Sequence, residues 1–124
     1  MLLSKEDSVA NVVSAWGPEG IRVGAQWLSG HIIICAETII EEWAVDRPAD
    51  LRAEDLERAI ELHPEIILIG TGARLVMPAS NLMQQLAAQR IGVEIMDTPA
   101  ACRTYNVLVH EHRRVVAALF APEN

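Results

Sequence analysis

Apolar residues follow two different patterns along this chain. In the first third they form three strand-like runs, at 9–16, 20–27 and 31–36, and turn residues separate these runs at 17–20 and 29–30. In the second half, segments with apolar residues at helical spacing alternate with short aliphatic runs. The pattern therefore predicts antiparallel strands at the start of the chain, followed by alternating helices and strands.

The second half contains three predicted helices and three predicted strands. The helices cover 52–62, 78–90 and a segment that begins near residue 98, and the strands cover 66–69, 93–96 and 115–120. The run 66–69 is apolar on both faces, which is typical of a central strand in a parallel sheet. We therefore predict an α/β fold: a three-layer domain with a central mixed, mostly parallel sheet, helices packed on it, and additional N-terminal antiparallel strands.

Two positions are predicted to define helix ends. The Thr98 side chain can accept a hydrogen bond from a free amide at the start of the third helix, with Pro99 as the first helical residue. Gly92 lies where a residue in the left-handed conformation would end the second helix.

The length of the chain and its apolar runs limit the number of domains and the cellular location that we predict. A chain of 124 residues corresponds to a single domain, 1–124, of which we expect about residues 1–8 to form a loosely ordered tail. The longest aliphatic runs are far shorter than the roughly 20 residues that cross a bilayer. The first residues carry Glu6 and Asp7 and lack the basic and apolar segments of a signal peptide. We therefore predict a cytoplasmic protein that does not bind membranes.

The net charge of −7 at pH 7 argues against nucleic acid as a partner. Nucleic acid requires a basic patch, whereas the lysine and arginine residues of this chain are scattered. Nucleic acid is therefore excluded as a partner. The two cysteines, Cys35 and Cys102, have no short spacing between them and are expected to be reduced and buried.

One edge of the predicted sheet carries candidate ligand-binding groups. Thr71 and Gly72 follow the strand 66–69, and Thr98 follows the next strand, so both turns lie at the carboxyl ends where open α/β sheets bind ligands. The free amides at a helix start attract anions, although Asp97 would repel an anion here. Two structural explanations are the alternatives to a site for a small anionic ligand. The glycines after strand 66–69 would serve only to form a turn, and Thr98 would serve only to cap its own helix.

The sequence lacks the usual signatures of catalysis and of metal binding. It contains no Gly-x-Ser-x-Gly elbow and no cysteine–histidine pairing. His110 and His112 are two residues apart on a helix, about 200° around its axis, so they cannot share one metal ion. We therefore predict no metal, no cofactor and no catalytic residue, which favours a protein that is not an enzyme.

A helical wheel separates the last helix into a core face and an outer face. The predicted core face contains Ala101, Tyr105, Leu108, Val109 and His112. Arg103, Asn106 and Arg113 fall outside it. Replacing any of these three by Ala is therefore predicted to change the stability by no more than roughly 0.5 kcal/mol, while weakening the binding of a partner.

Several segments of the chain resemble one protein family. The most specific are Met96-Asp-Thr-Pro-Ala-Ala-Cys-Arg-Thr-Tyr-Asn106 and Glu111-His-Arg113, and Ile67-Leu-Ile-Gly-Thr-Gly72 adds to them. They resemble a family of small single-domain proteins of unknown biochemical activity, of the DUF498/DUF598 type. The eukaryotic members of this family include a mitochondrial complex I assembly factor and an adipogenesis-associated protein.

The resemblance implies a fold and a set of surface residues. It implies a three-layer α/β domain with a mixed sheet, in agreement with the pattern. It also implies that a characteristic surface or pocket is lined by Thr98, Ala101, Arg103, Thr104, Tyr105, Asn106, Glu111 and Arg113. The family has glycine between the last Glu and Arg, whereas this chain has His112. This residue either is strained in a left-handed helix end or extends the helix by a turn.

Two functional hypotheses follow. We prefer a non-enzymatic binding module that holds a protein partner and assists the assembly of a larger complex. The alternative is a small-molecule binding protein or enzyme, with a pocket for an anionic metabolite at the sheet edge near residues 70–72 and Thr98. A flat polar groove would favour the first hypothesis, and a deep pocket would favour the second.

Overall fold

The computed structural model describes residues 9–123 as two sheets and three α-helices. The strands are β1 (Val13–Gly17), β2 (Gly20–Val23), β3 (Gln26–Leu28), β4 (Ile32–Ile34), β5 (Ile39–Ile40), β6 (Ile66–Gly70), β7 (Gly92–Met96) and β8 (Val115–Leu119). The helices are α1 (Glu57–Ile60), α2 (Leu82–Ala87) and α3 (Thr98–His110), and 3₁₀ turns cover Pro48–Asp50 and Ala53–Leu56. The predicted tail at residues 1–8 lies outside the described residues.

The strands form a small antiparallel sheet and a larger mixed sheet. The small sheet has the order β1-β2-β3, and the larger sheet has the order β5-β4-β8-β6-β7. Pairing is antiparallel from β5 to β8 and parallel from β8 to β7. The predicted mixed sheet and the additional N-terminal antiparallel strands are confirmed. The larger sheet has two parallel and two antiparallel pairings, rather than the mostly parallel pairing predicted. Strand β6 lies inside the sheet as predicted, but β8 occupies the middle position.

Alternating side chains of the larger sheet build a core on each of its faces. On one face, Ile67 and Val116 pack with Leu86 of α2. On the other face, Leu68 packs with Tyr105 of α3 and with apolar residues of the small sheet. The domain therefore has three layers, and α3 shares its layer with the small sheet.

The N-terminal strands differ from the prediction in three places. The predicted strand at 20–27 is two antiparallel strands, β2 and β3, because the chain turns back at Gly24, which has φ of 58°. β1 begins at Val13 rather than at residue 9, because Asn11 bonds instead to the turn after β4. The Asn11 N–H donates to the Ala36 carbonyl at 2.9 Å, and its side-chain amide donates to the Cys35 carbonyl at 3.1 Å. Strand β5 does not follow from the sequence pattern, since two residues are too few to show a period.

Two helices are shorter than predicted. A 3₁₀ turn replaces the first part of α1. α2 begins only at Leu82, because hydrogen bonds to a distant turn hold the preceding residues out of the helix. The Ala79 N–H donates to the Ala49 carbonyl at 2.9 Å, and the Ser80 hydroxyl donates to the Leu51 carbonyl at 2.7 Å. Tertiary contacts override helix propensity here.

The left-handed residue that follows α2 lies two positions before the predicted one. Arg90, not Gly92, adopts the left-handed conformation, with φ of 63°, and Gly92 begins β7. The Ile91 N–H then donates to the Leu86 carbonyl at 3.1 Å, and both side chains are buried in the same core. This apolar contact across a left-handed helix end explains why the chain turns at Arg90.

Both cysteines lie inside the fold. Cys35 and Cys102 are free and buried. Burial raises the pKa of the Cys102 thiol to about 12, so that this thiol is protonated at neutral pH. A protonated, buried thiol is a poor nucleophile.

His31 connects the start of β4 to the end of the chain through a bond that depends on its protonation. The His31 Nδ1 atom accepts a hydrogen bond from the Ala121 N–H at 2.9 Å, and its ring centroid lies 5.0 Å from that of Phe120. Burial lowers the pKa of His31, and the Asp46 carboxylate opposes part of this effect. The folded protein therefore favours the neutral imidazole.

We expect acid to weaken the fold through His31. Above the ordinary pKa of 6.5 the imidazole is neutral in both states and its contribution to stability is complete. As the pH falls from there toward the lower folded pKa, the unfolded chain binds a proton that the folded protein excludes, so stability is lost. Melting temperatures measured above and below this window should show the loss. The amide oxygen of Asn in His31→Asn can accept the same hydrogen bond without titrating, so its melting temperature should fall less steeply with decreasing pH than that of the wild type. Equal dependence on pH in the two proteins would show that His31 does not cause the loss of stability.

Candidate functional site

The predicted N-cap of α3 is wrong by one position, because Asp97 caps this helix. The Asp97 side chain accepts a hydrogen bond from the Ala100 N–H at 2.8 Å, and Thr98 is the first helical residue. Aspartate is as good a cap as threonine and also places a negative charge at the positive end of the helix dipole. This arrangement leaves the Thr98 side chain for another role.

Thr98 joins three segments at the carboxyl edge of the larger sheet. Its side chain is fully buried. The hydroxyl donates to the Phe120 carbonyl and accepts from the Gly72 N–H, both at 2.8 Å, and the Thr98 N–H donates to the Gly72 carbonyl at 2.8 Å. One side chain therefore holds α3, the loop after β6 and the end of β8 together.

Thr71 has a similar role in the loop after β6. Its hydroxyl donates to the Arg74 carbonyl at 2.7 Å and accepts from the Val76 N–H at 3.0 Å. A Cβ atom on Gly70 would lie 2.9 Å from the Thr98 Cα atom, so the two segments pack closely. Ligand binding at this edge stays a prediction, and it would require these hydroxyl groups to release partners inside the fold.

Asn106 attaches β1 to α3. Its Oδ1 atom accepts a hydrogen bond from the Val13 N–H, and its Nδ2 atom donates to the Val13 carbonyl, both at 2.8 Å. The neighbouring Tyr105 is buried, its phenol donates to the Asn11 carbonyl at 2.7 Å, and burial raises its pKa. A carboxamide offers the same donor and acceptor as a peptide unit, so it can pair with a strand edge. These two bonds argue against the prediction that Asn106 can be replaced with little change in stability.

The C-terminal end of α3 is a left-handed turn at His112. This residue has φ of 61°, its N–H donates to the Val109 carbonyl, and the Arg113 N–H donates to the Leu108 carbonyl, both at 2.9 Å. These two bonds form a Schellman motif, in which a side chain in place of glycine is strained by roughly 1 kcal/mol. Of the two alternatives for His112, the strained helix end is the one observed. The placement of His112 on the core face is wrong, because the residue is exposed.

The turn at His112 directs Arg113 toward Glu65, which precedes β6. The Arg113 Nε atom donates to the Glu65 Oε1 atom at 3.2 Å, and the same oxygen accepts from the Arg114 N–H at 2.9 Å. The bond from the Arg114 amide, followed by the bond from the Arg113 guanidinium, lowers the pKa of Glu65. Both side chains of this ion pair remain partly exposed, so the pair positions Arg113 more than it stabilises the fold.

A groove of about 1090 Å³ opens beside this end of α3. We call it the α3 groove. Its exposed apolar residues are Val9, Val12 and Val107, and its charged and imidazole groups come from Glu37 and from residues 110–114. It lies at the amino ends of the parallel strands, where β8 begins, and not at the carboxyl ends where the sequence pattern placed the small-molecule alternative.

Three of the predicted site residues line the α3 groove: Asn106, Glu111 and Arg113. Tyr105 is buried in the core beside them. The other predicted residues do not line this groove. They are Thr71, Gly72 and Thr98 at the carboxyl edge, and Arg103 and Thr104 on α3. That the three grouped residues bind a partner stays a prediction.

Arg103 and Thr104 connect α3 to neighbouring strands. The Arg103 guanidinium lies 5.7 Å from the centroid of the Trp16 ring, which belongs to β1. The Thr104 hydroxyl donates to the Met96 sulfur at 3.6 Å, at the end of β7. An exposed guanidinium over an aromatic ring contributes about 0.5–1 kcal/mol, so Arg103 has a structural contact as well as an exposed position.

The apolar half of the groove does not follow from the sequence pattern. Val9 and Val12 fall in a predicted strand, and in the structure they precede β1 and stay exposed. Val107 is an apolar residue on the outer side of α3. That outer position is the one signal in the sequence that points to this surface.

The chain is similar to known proteins over nearly its whole length. Residues 13–120 match the family described as "Protein of unknown function (DUF498/DUF598)". A crystal structure of a protein from Bordetella parapertussis is 42% identical, covers 92% of this chain and 98% of that chain, and has a TM-score of 0.84. The crystal structure of a protein titled an outer membrane protein, from Bartonella henselae, is 35% identical, covers 91% of this chain and 96% of that chain, and has a TM-score of 0.80.

A eukaryotic relative carries a functional name. The protein named "NADH dehydrogenase (ubiquinone) 1 alpha subcomplex assembly factor 3" of Danio rerio is 32% identical over 123 residues, which cover 98% of this chain and 70% of that protein. This chain spans about two thirds of the length of the assembly factors that it matches, between 64% and 70%. Within residues 9–123, no helix has the length and apolar character needed to span a membrane.

Proposed function

The chain belongs to the DUF498/DUF598 family of proteins of unknown function, and we propose that it is a non-enzymatic binding module that holds a protein partner while a larger complex is assembled. The observation that carries this proposal is the α3 groove, where exposed valines lie beside charged groups of both signs. The relatives named as assembly factors of NADH dehydrogenase support the choice of a partner that is a subunit of a larger complex.

The composition of the groove suits a segment of a folded or extended protein. Its apolar residues can contribute about 25 cal/mol for each Å² that a partner removes from water. The rim carries charges of both signs that can orient a partner. The positive charges come from Arg113 and Arg114, and the negative charges come from Glu37 and Glu111. An apolar centre with a charged rim is the usual composition of a protein interface.

The positions of the reactive side chains support binding rather than catalysis. The Tyr105 phenol is held by the Asn11 carbonyl, and burial raises its pKa, so it stays neutral. The Thr98 and Thr71 hydroxyl groups each donate one hydrogen bond and accept one within the fold. A general acid or a nucleophile would need to reach a substrate instead.

Substitution of Val107 by Asp should abolish capture of the partner without unfolding the protein. Val107 is 56% exposed, so a carboxylate there remains solvated, but it would be buried against an apolar group in a complex. We expect at least a tenfold loss of captured partner, as for a central interface residue. The matched control is Leu75→Asp, because Leu75 is an aliphatic residue with the same exposure that does not line the groove.

The experiment compares proteins captured by the tagged wild type, Val107→Asp and Leu75→Asp from an extract of the source cells. The proposal predicts a protein that the wild type and Leu75→Asp retain and that Val107→Asp loses. Equal capture by all three forms would contradict the proposal. Loss of a bound anionic metabolite, without loss of any protein, would favour the small-molecule alternative.

A further inference from the structure

Strand β7 forms an open edge of the larger sheet. Among residues 9–123, only β6 pairs with it. The Gly92 N–H donates to the Glu65 carbonyl at 3.1 Å, and the Met96 carbonyl accepts from the Thr71 N–H at 2.9 Å. These bonds show that residues 92 and 96 direct their N–H and C=O groups toward β6. Because the backbone groups of successive residues in a strand point to opposite sides, residue 94 does the same. The N–H and C=O groups of residues 93 and 95 therefore point away from the sheet.

The side chains of β7 give this edge two different faces. Val93 and Ile95 lie on the side of α2 and are partly buried against its core. A hollow of about 410 Å³ adjoins Ile95, and its lining includes Met77 and Met83, both of which are exposed. Methionine side chains adapt readily to an apolar group, so this hollow can receive a side chain of variable shape.

Glu94 places a negative charge at the middle of the same edge. It points to the opposite face from Val93 and Ile95 and is exposed. In the described part of the chain it takes part in none of the ion pairs or side-chain hydrogen bonds. A strand that paired with β7 would place one residue directly beside Glu94, where an opposite charge is favourable and a like charge is unfavourable.

We propose that the β7 edge binds an extended segment of a partner protein by strand addition, and that this segment has the residue order apolar, basic, apolar. The two apolar side chains lie on the face of Val93 and Ile95, one of them in the hollow, and the lysine or arginine lies beside Glu94. Backbone hydrogen bonds to residues 93 and 95 provide affinity, and the alternating side chains provide specificity. None of these residues lines the α3 groove, so the edge is a second contact surface.

A second copy of this chain is a poorer occupant of the edge than a basic segment. Two copies that paired antiparallel about the middle of β7 would place Glu94 of one copy against Glu94 of the other. Like charges directly opposite each other destabilise a strand pair. The charge of the edge therefore selects a basic partner segment.

Two fluorescent peptides of equal length test the proposal, one with a central Leu-Lys-Leu and one with a central Leu-Glu-Leu. Fluorescence anisotropy should show that the wild type binds the lysine peptide about fivefold more tightly than the glutamate peptide, or more. In Glu94→Arg the preference should reverse. The control is Glu61→Arg, which makes the same charge change at an exposed glutamate after α1 and should keep the wild-type preference.

Amide hydrogen exchange measured by NMR locates the contact. The lysine peptide should slow exchange at Val93 and Ile95, whose N–H groups point outward, more than at Glu94, whose N–H is already paired with β6. The proposal is overturned if neither peptide binds, if the preference does not reverse, or if the protected amides lie outside β7. It is also overturned if protection at Val93 and Ile95 rises with protein concentration alone, because the occupant would then be a second copy.

Discussion

Replacement of Thr98 by Val is expected to destabilise the protein by about 2–5 kcal/mol. Valine has nearly the shape of threonine, so packing around this fully buried position is kept. In the native protein the Thr98 hydroxyl lies 2.8 Å from both the Phe120 carbonyl and the Gly72 N–H. In the valine variant the carbonyl loses its donor and the N–H loses its acceptor. A buried polar group without a partner costs about 1–3 kcal/mol.

Urea unfolding of the wild type, Thr98→Val and Thr98→Ser measures this effect. The serine variant keeps the hydroxyl and loses only a methyl group, so its loss of stability should be smaller, about 1 kcal/mol. Unchanged m values would show that the unfolded state is the same in each case. A valine variant no less stable than the serine variant would mean that the hydroxyl does not hold the carboxyl edge together.

Replacement of Asn106 by Ala is expected to lower the free energy of unfolding by about 2–3 kcal/mol. The substitution removes the hydrogen bond from the Val13 N–H and the one to the Val13 carbonyl, both at 2.8 Å. These two bonds attach β1 to α3, so hydrogen exchange at the Val13 amide should accelerate as well.

His110→Ala is the matched control for Asn106→Ala. His110 lies one helical turn later and is exposed, so its replacement should change the stability by roughly 0.5 kcal/mol or less. Equal stability of the two variants would show that Asn106 does not attach the strand. It would also restore Asn106 as a residue available for recognition.

The fold is predictable from the sequence wherever local pattern and tertiary contacts agree. The aliphatic runs of β6 and β8 are buried on both faces of the sheet, so their composition alone identifies them as strands. The start of α2 is different. Its boundary depends on Ala79 and Ser80, which bond to a turn about 30 residues earlier, and no local pattern contains that information.

The site is harder to predict because a helical wheel gives the side of a helix but not what packs against that side. Asn106 is off the core face of α3, yet β1 lies there, and the two partners are 93 residues apart. Thr98 has the sequence context of a helix cap, but its hydroxyl bonds to Gly72 in the loop after β6 and to Phe120 just after β8. Family resemblance predicts Glu111 and Arg113 as site residues, and both line the α3 groove.

Site-specific photo-crosslinking at Val107 tests most directly whether the α3 groove holds a protein partner. A photoreactive residue at position 107 should form a covalent adduct of defined mass with one partner in an extract of the source cells, while the same residue at Leu75, which is equally exposed, should not. Adducts that form equally at both positions, or only at position 75, would contradict the claim.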